Sequence, residues 1–246
     1  MIKFAMSLLI LGLILAITLC GCGGGNGGNG KQDGPKVGLN GVYYMAELNI
    51  NSGGESSSIS EIIFDGNGNF TFEQIYGDKD GGNQNQSGSG AYEVKVDGSC
   101  TFTIDGEVTD ARLSADGRTF VAARINSKSV HNVSVGVKAG TGGFSKASLN
   151  GVYYMSGLNI NSGGESSAIT KITFDGNKNF TYEQINSESA EPQTGSGTYE
   201  VDADGTFTIT EGDKVTDGRL STDSRTFVAA RTNSTSVHNV SVGVKH

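Results

Sequence analysis

The sequence predicts an all-β protein made of two tandem antiparallel up-and-down β-barrels. Three observations carry that expectation. A block of about 100 residues, the size of a small domain and not of a solenoid repeat, occurs twice. Leu39-Asn40-Gly41-Val42-Tyr43-Tyr44-Met45 returns as Leu149-Asn150-Gly151-Val152-Tyr153-Tyr154-Met155, and Ser129 to Lys138 returns from Ser236 to Lys245. Within each block, β-type runs alternate with turn signals at intervals of about 8–14 residues, and no helix-period stretch follows residue 40. The 38 glycines among 246 residues fit a chain with many tight turns.

The first 21 residues stand outside that pattern. Lys3 and the α-amino group form a short cationic start, and Phe4 to Leu19 is almost wholly apolar, as in a secretory signal. Leu19-Cys20-Gly21-Cys22 then resembles the lipobox of bacterial lipoproteins, with Leu19 at −3, Cys20 at −2, Gly21 at −1 and Cys22 at +1. Cys20 fits less well as acceptor, because the bulky Leu19 would precede it. The resemblance implies removal of residues 1–21, a thioether-linked diacylglycerol on Cys22 and an acylated amino group, palmitate-type chains included. Several chains together anchor firmly, at roughly 0.8 kcal/mol per buried methylene. Gly23 is not aspartate, so the family's inner-membrane retention signal is missing and the outer membrane is the implied address. The other reading of the same run is an uncleaved transmembrane anchor, since it approaches the roughly 17 residues that a span needs. Residues 22–38 continue as a glycine-rich tether with no periodicity.

Charge and cysteine content narrow the function classes. The formal charge is −8, and becomes −9 once Lys3 leaves with the signal. An acidic surface repels phosphate backbones, which argues against a nucleic-acid partner. Of three cysteines only Cys100 lies in a repeat, so neither a disulfide framework nor CxxC-type metal ligation is expected.

In the first repeat, residues 39–138, strands are expected near 41–50, 57–65, 69–76, 89–97, 100–105, 107–114, 119–126 and 129–138. Asp65-Gly66-Asn67-Gly68, Asp97-Gly98 and Asp116-Gly117 supply turn residues that tolerate positive φ. Residues 139–148 read as a linker and residues 149–246 as the second repeat. Eight consecutive strands suit a closed barrel, because closure removes exposed edges. Gly41-Val42-Tyr43 and Gly151-Val152-Tyr153 resemble the Gly-x-Trp opening of the lipocalin and avidin (calycin) barrels, with Tyr in place of Trp. That resemblance implies a barrel with room for a ligand, and an arginine late in the barrel packed over the opening aromatic.

Placing a turn at Ser127-Lys128 pairs Phe120 with Val135, Ala122 with Val133 and Arg124 with His131, all on one face. A turn at Ser234-Thr235 pairs Phe227 with Val242, Ala229 with Val240 and Arg231 with His238. On the first strand, Val42/Tyr44 and Tyr43/Met45 are equally plausible inward sets. Following the meander puts the Asp-Gly turns at a closed end. Asn51 to Ser57 and Gly77 to Gly88 fall at a loop-rich mouth. The candidate binding ring there is Gln74, Tyr92, Arg124 and His131, repeated as Gln184, Tyr199, Arg231 and His238. The alternative is that the barrel is filled by its own side chains, with Arg124 as its structural arginine.

Two further patterns read as structure. Asp65 to Asn69 and Asp175 to Asn179 imitate the start of a calcium loop, but Phe70 or Phe180 sits where its glycine belongs and position twelve is Tyr76 or Asn186. They are read as hairpin turns. Asp110 with Arg112, and Asp217 with Arg219, share the face opposite the core and read as exposed ion pairs. No catalytic residues, metal or cofactor are assigned. The expected partners are the membrane, through Cys22, and a small molecule or envelope component. The leading expectation is non-catalytic ligand binding at the barrel mouths, and the rival is a structural or adhesive role for the outer surfaces. An enzyme ranks last, because no nucleophile–base constellation stands out.

Overall fold

A computed structural model describes residues 38–51, 54–77, 86–124, 130–161, 164–187, 193–231 and 237–246. The signal sequence, Cys22 and the tether up to residue 37 lie outside the described residues, as do both turns assumed between the last two strands of each repeat.

The first barrel runs through β1 (Gly41–Asn51), β2 (Gly54–Phe64), β3 (Asn69–Gly77) and β4 (Ser87–Val94). It continues through β5 (Ser99–Ile104), β6 (Glu107–Leu113), β7 (Thr119–Arg124) and β8 (His131–Lys138). The second has β9 (Asn150–Asn161), β10 (Gly164–Asp175), β11 (Asn179–Ser187) and β12 (Thr194–Val201). It ends with β13 (Thr206–Glu211), β14 (Lys214–Leu220), β15 (Thr226–Arg231) and β16 (Val237–Lys245). Each set pairs antiparallel in chain order, and the last strand returns to the first, so both sheets close. The calycin-like double barrel is therefore the architecture. Asn51 pairs with Gly54, so most of the loop expected from Asn51 to Ser57 is strand instead.

Each barrel has an aromatic core concentrated at its closed end. In the first, Tyr43, Phe64, Phe70, Phe102 and Phe120 form one cluster, with Phe64 edge-on to Tyr43 and Tyr92 at 5.3 and 5.0 Å. The inward set on β1 is thus Tyr43, Met45, Glu47 and Asn49, and Tyr43 donates a hydrogen bond to the Gly117 carbonyl across the floor. Tyr153 repeats this with Ser224, at 2.7 Å. Burial pushes both phenols up to about 12. The cation above Tyr43 is Lys138, 5.7 Å from the ring centroid, and above Tyr153 it is Lys245. Lysine, not Arg124, therefore occupies the place that the calycin resemblance gives to arginine.

The expected register between the last two strands is wrong by one residue. Phe120 pairs with Gly136, Ala122 with Ser134 and Arg124 with Asn132. Phe227 pairs with Gly243 and Ala229 with Ser241. The reason is volume: a Cβ at Gly136 would lie 2.2 Å from the Phe120 ring, so the bulky core residue needs an empty position opposite it. The alternating valines that suggested the other register point outward.

Some of those outward residues are buried all the same, because the two barrels pack side by side within one compact unit. Tyr44, Ala46, Ile59 and Val137 from the first barrel cluster with Val228, Ala230 and Val240 from the second. A register shift between Ile59 and Ser60 leaves Ile75 unpaired and sets Tyr76 opposite Ile59. Tyr76 thereby joins the outer cluster, where a regular strand would have turned it inward. Arg219 is buried there, its guanidinium 5.0 Å from the Tyr44 ring and 5.1 Å from the Tyr76 ring. It is not an exposed ion pair with Asp217. Arg118 and Asp223 close the rim at 3.1 Å.

Candidate functional site

Strand direction fixes the ends of each barrel, and the inward alternation then decides what each end presents. The β2–β3, β4–β5 and β6–β7 turns close one end; the strand ends at Asn51 and Gly54, Gly77 and Ser87, Ile104 and Glu107, and Arg124 and His131 mark the other. In the first barrel that second end opens onto a cavity of about 370 Å³, within the range of small-molecule sites. Its floor is apolar: Ile62, Phe64, Phe70, Phe72, Phe102 and Ile104. Small residues make the room. Gly88 and Gly90 face Phe72 and Phe70 across β3 and β4, while Ser60, Ala122 and Ser134 contribute little volume to the wall.

The upper wall is polar. Glu47 and Ser134 pair across β1 and β8, as do Asn49 and Asn132. Asn132 Nδ2 donates to Asn49 Oδ1 at 3.1 Å, and Asn49 Nδ2 donates to Glu47 Oε1. The Ser134 hydroxyl lies 2.9 Å from Asn132 Oδ1 and 3.2 Å from Glu47 Oε2, so it can donate to either. Arg124 reaches Glu107 at 3.6 Å. Glu47, Asp105 and Glu107 line the cavity with Arg124 as the cation among the described lining residues. The described lining therefore carries an excess of negative charge.

Of the expected ring, Gln74 and Arg124 line this cavity. Tyr92 and His131 do not. Tyr92 sits at the closed end, where its hydroxyl donates to the Leu39 carbonyl at 2.6 Å and burial raises its pKa. The physical reason is that β4 enters at the mouth with Ser87, so Tyr92 is already most of a strand away. His131 points outward and is exposed, a direct result of the one-residue register change.

The second barrel is not a duplicate at this level. Gln184 takes the place of Gln74 beside the same register shift. Tyr199 is at the closed end, its hydroxyl 2.9 Å from the Leu149 carbonyl and 3.1 Å from that of Lys146; burial pushes it up to about 12. His238 is buried on the outer face, not in the barrel. Arg231 stands at the end of β15 with its Nε enclosed and unpartnered among the described residues. Gly157 replaces Glu47, Tyr182 replaces Phe72 and Glu211 replaces Ile104. Tyr182 donates to Glu211 at 2.7 Å, and Lys214 approaches the same carboxylate at 3.5 Å. That hydrogen bond, with burial second, pushes Tyr182 up to about 12. A side-chain bridge thus links β11, β13 and β14 where the first barrel has apolar wall.

Glu47, Asn49, Asn132 and Ser134 are the site residues that reading the sequence missed. The usable signal was the alternation Tyr43-Met45-Glu47-Asn49, once Tyr43 is known to face in. Cys100 is buried and its thiol is pushed up to about 12 by burial, which keeps it unreactive. Asp65 Oδ1 accepts from the Asn67 and Asn69 amides at 2.7 and 3.0 Å. Its calcium-like motif is a hydrogen-bonded hairpin turn. Among the described residues no group of three or more His, Cys, Asp or Glu is arranged to hold a metal.

No protein-family model matches the chain, and no curated protein matches it. Among solved structures, a protein of unknown function from the DUF3598 family of Nostoc punctiforme is 10% identical. The alignment covers 84% of this chain and 96% of that one, with a TM-score of 0.33. The Helicobacter pylori beta clamp in complex with diflunisal is 9% identical over 81% of this chain and 57% of that one, with a TM-score of 0.17. Neither likeness is close enough to carry a functional argument.

Proposed function

We propose that the protein is an envelope lipoprotein, anchored to the outer membrane through Cys22, that binds a small amphipathic ligand in its first barrel without catalysis. The observation that carries the binding reading is the cavity of about 370 Å³, apolar below and polar at its mouth. The anchor reading rests on Leu19-Cys20-Gly21-Cys22 and the apolar run before it. The carboxylates of Glu47, Asp105 and Glu107 favour a head group rich in hydrogen-bond donors or carrying positive charge, above an apolar body. In the second barrel the Tyr182–Glu211–Lys214 bridge and the loss of Glu47 give the mouth a different preference.

Native mass spectrometry of the protein purified from its own envelope tests both parts. The expected spectrum shows acyl chains on Cys22 and a retained small molecule. Ser60→Leu, which fills the cavity wall, removes the molecule and leaves the acyl mass. A mature mass without acyl chains overturns the anchor. A wild-type protein carrying nothing, and taking up no octylamine, octanol or octanoate in calorimetry, overturns the binding site. A second reading, an assembly role for the outer surfaces, is favoured by the apolar residues exposed there, Val121, Val133, Tyr154 and Ile169 among them.

A further inference from the structure

The interface between the barrels is heterologous: each barrel contributes a different face. The first contributes the outside of β1, β2 and β8, with Tyr44, Ala46, Ile59 and Val137; the second contributes the outside of β14 to β16, with Arg219, Val228, Ala230 and Val240. Because the chain is duplicated, each barrel also carries the face that its neighbour used. On the first barrel this second face is Arg112, Val121, Ala123 and Val133, and on the second it is Tyr154, Ser156, Ile169 and Val244.

These unused copies are uncovered. Val121 and Val133 are 51% and 42% exposed, whereas Val228 in the interface is 0%. Tyr154, Ile169 and Val244 are 37%, 38% and 46% exposed, against 8%, 0% and 0% for Tyr44, Ile59 and Val137. Ile185, the counterpart of the Ile75 that packs on the interface, is 51% exposed. Six of the eight exposed large hydrophobic residues among the described residues thus belong to these two faces. A monomer ordinarily scatters such residues; grouping them marks a surface for association.

We propose that the protein self-associates head to tail, the β9–β10–β16 face of one copy covering the β6–β7–β8 face of the next. Charge agrees with the same geometry. Arg118 and Asp223 pair at 3.1 Å across the internal interface. Their counterparts, Arg225 and Asp116, are both exposed and would meet between copies. Arg112 would lie on Tyr154 as Arg219 lies on Tyr44. In sequence, the counterpart of Tyr76 is an asparagine and that of Ala46 is Ser156, so the contact between copies lacks one aromatic partner for the arginine and is weaker than the internal one and reversible. A heterologous contact does not close on two copies, so association continues into longer rows or rings.

Sedimentation velocity of the full chain in mild detergent, over about a hundredfold range of concentration, reads this directly. The mean mass is expected to rise past that of a dimer. Val121→Glu leaves only the second-barrel face usable, and Tyr154→Glu leaves only the first-barrel face. Each variant alone is expected to remain monomeric, and the two mixed to form a one-to-one pair that grows no further. Asp116→Arg should weaken wild-type association, and mixing it with Arg225→Asp should restore pairing. Both glutamate substitutions are at exposed positions, and circular dichroism verifies that the barrels stay folded. A wild-type monomer throughout, association by either glutamate variant alone, or failure of the mixed variants to pair overturns the proposal.

Discussion

The side chains that shape these barrels act through the empty positions opposite them. Phe120 lies over Gly136, and the same logic explains a difference between the repeats. Cys100 faces Ala111 in the first barrel, whereas Phe207 faces Gly218 in the second. A Cβ at Gly218 would come within 2.2 Å of the Phe207 ring, so the larger residue and the smaller one belong together. Gly136→Val should therefore force Phe120 out of its rotamer and cost about 1–3 kcal/mol, a normal range for overpacking. A urea titration measures this; an unchanged midpoint would show that the core has more slack than the contacts imply. Volume also accounts for what the sequence concealed at this level: Val133 and Val135 look like core by alternation, and only the Phe120 contact shows that the glycine must face in.

Among the elements, the hairpin turns at the closed ends were legible and the strand lengths nearly so. Asp65 and Asp175 tie their turns by accepting backbone hydrogen bonds. Hydrogen bonds from Asn69 hold the Asp65 carboxyl below its usual range, and the Lys178 and Asn177 amides do the same for Asp175. Because both carboxyls are more acidic folded than the roughly 3.9 of an unfolded chain, the unfolded state takes up protons first as pH falls. Their contribution is thus fully present above about pH 4 and is lost below it, as pH drops toward the folded values. An Asp65→Asn, Asp175→Asn double variant should lose less stability than wild type between pH 4 and pH 2. Parallel acid limbs in urea titrations would contradict that. The register shift in β2–β3 was not legible, because Ile75-Tyr76 continues an ordinary strand pattern. It nonetheless decides that Tyr76 faces the neighbouring barrel, while Gln74, on the regular side of the shift, keeps the inward alternation of Phe70 and Phe72.

For the molecule as a whole, the two barrels are joined by an apolar contact with one buried cation at its centre. Arg219 between Tyr44 and Tyr76 is worth about 2 kcal/mol or more when desolvated. Removing it also takes away the packing of its stem. Arg219→Ala should split a single calorimetric unfolding transition into two, one per barrel, with each core intact. A single transition at reduced temperature would show instead that the linker and rim contacts suffice for coupling. The same substitution leaves the cavity of the first barrel untouched, so ligand uptake by wild type and variant should agree.

The sequence by itself determined the class of the protein: two repeats, eight strands each, closed antiparallel, with tight Asp-Gly turns at one end and a mouth at the other. Periodicity and turn chemistry are local, so one chain displays them without its fold. It also put Gln74 and Arg124 at the mouth, because position along a strand needs only the strand's direction. Which face of the last strand enters the core, and therefore whether His131 or Asn132 looks inward, was decided by packing against Phe120. Whether an outer valine is surface or interface was decided by the neighbouring barrel. Val121 and Val228 occupy the same place in the same motif, and only the tertiary contact distinguishes them, since burial belongs to the assembly and not to the strand.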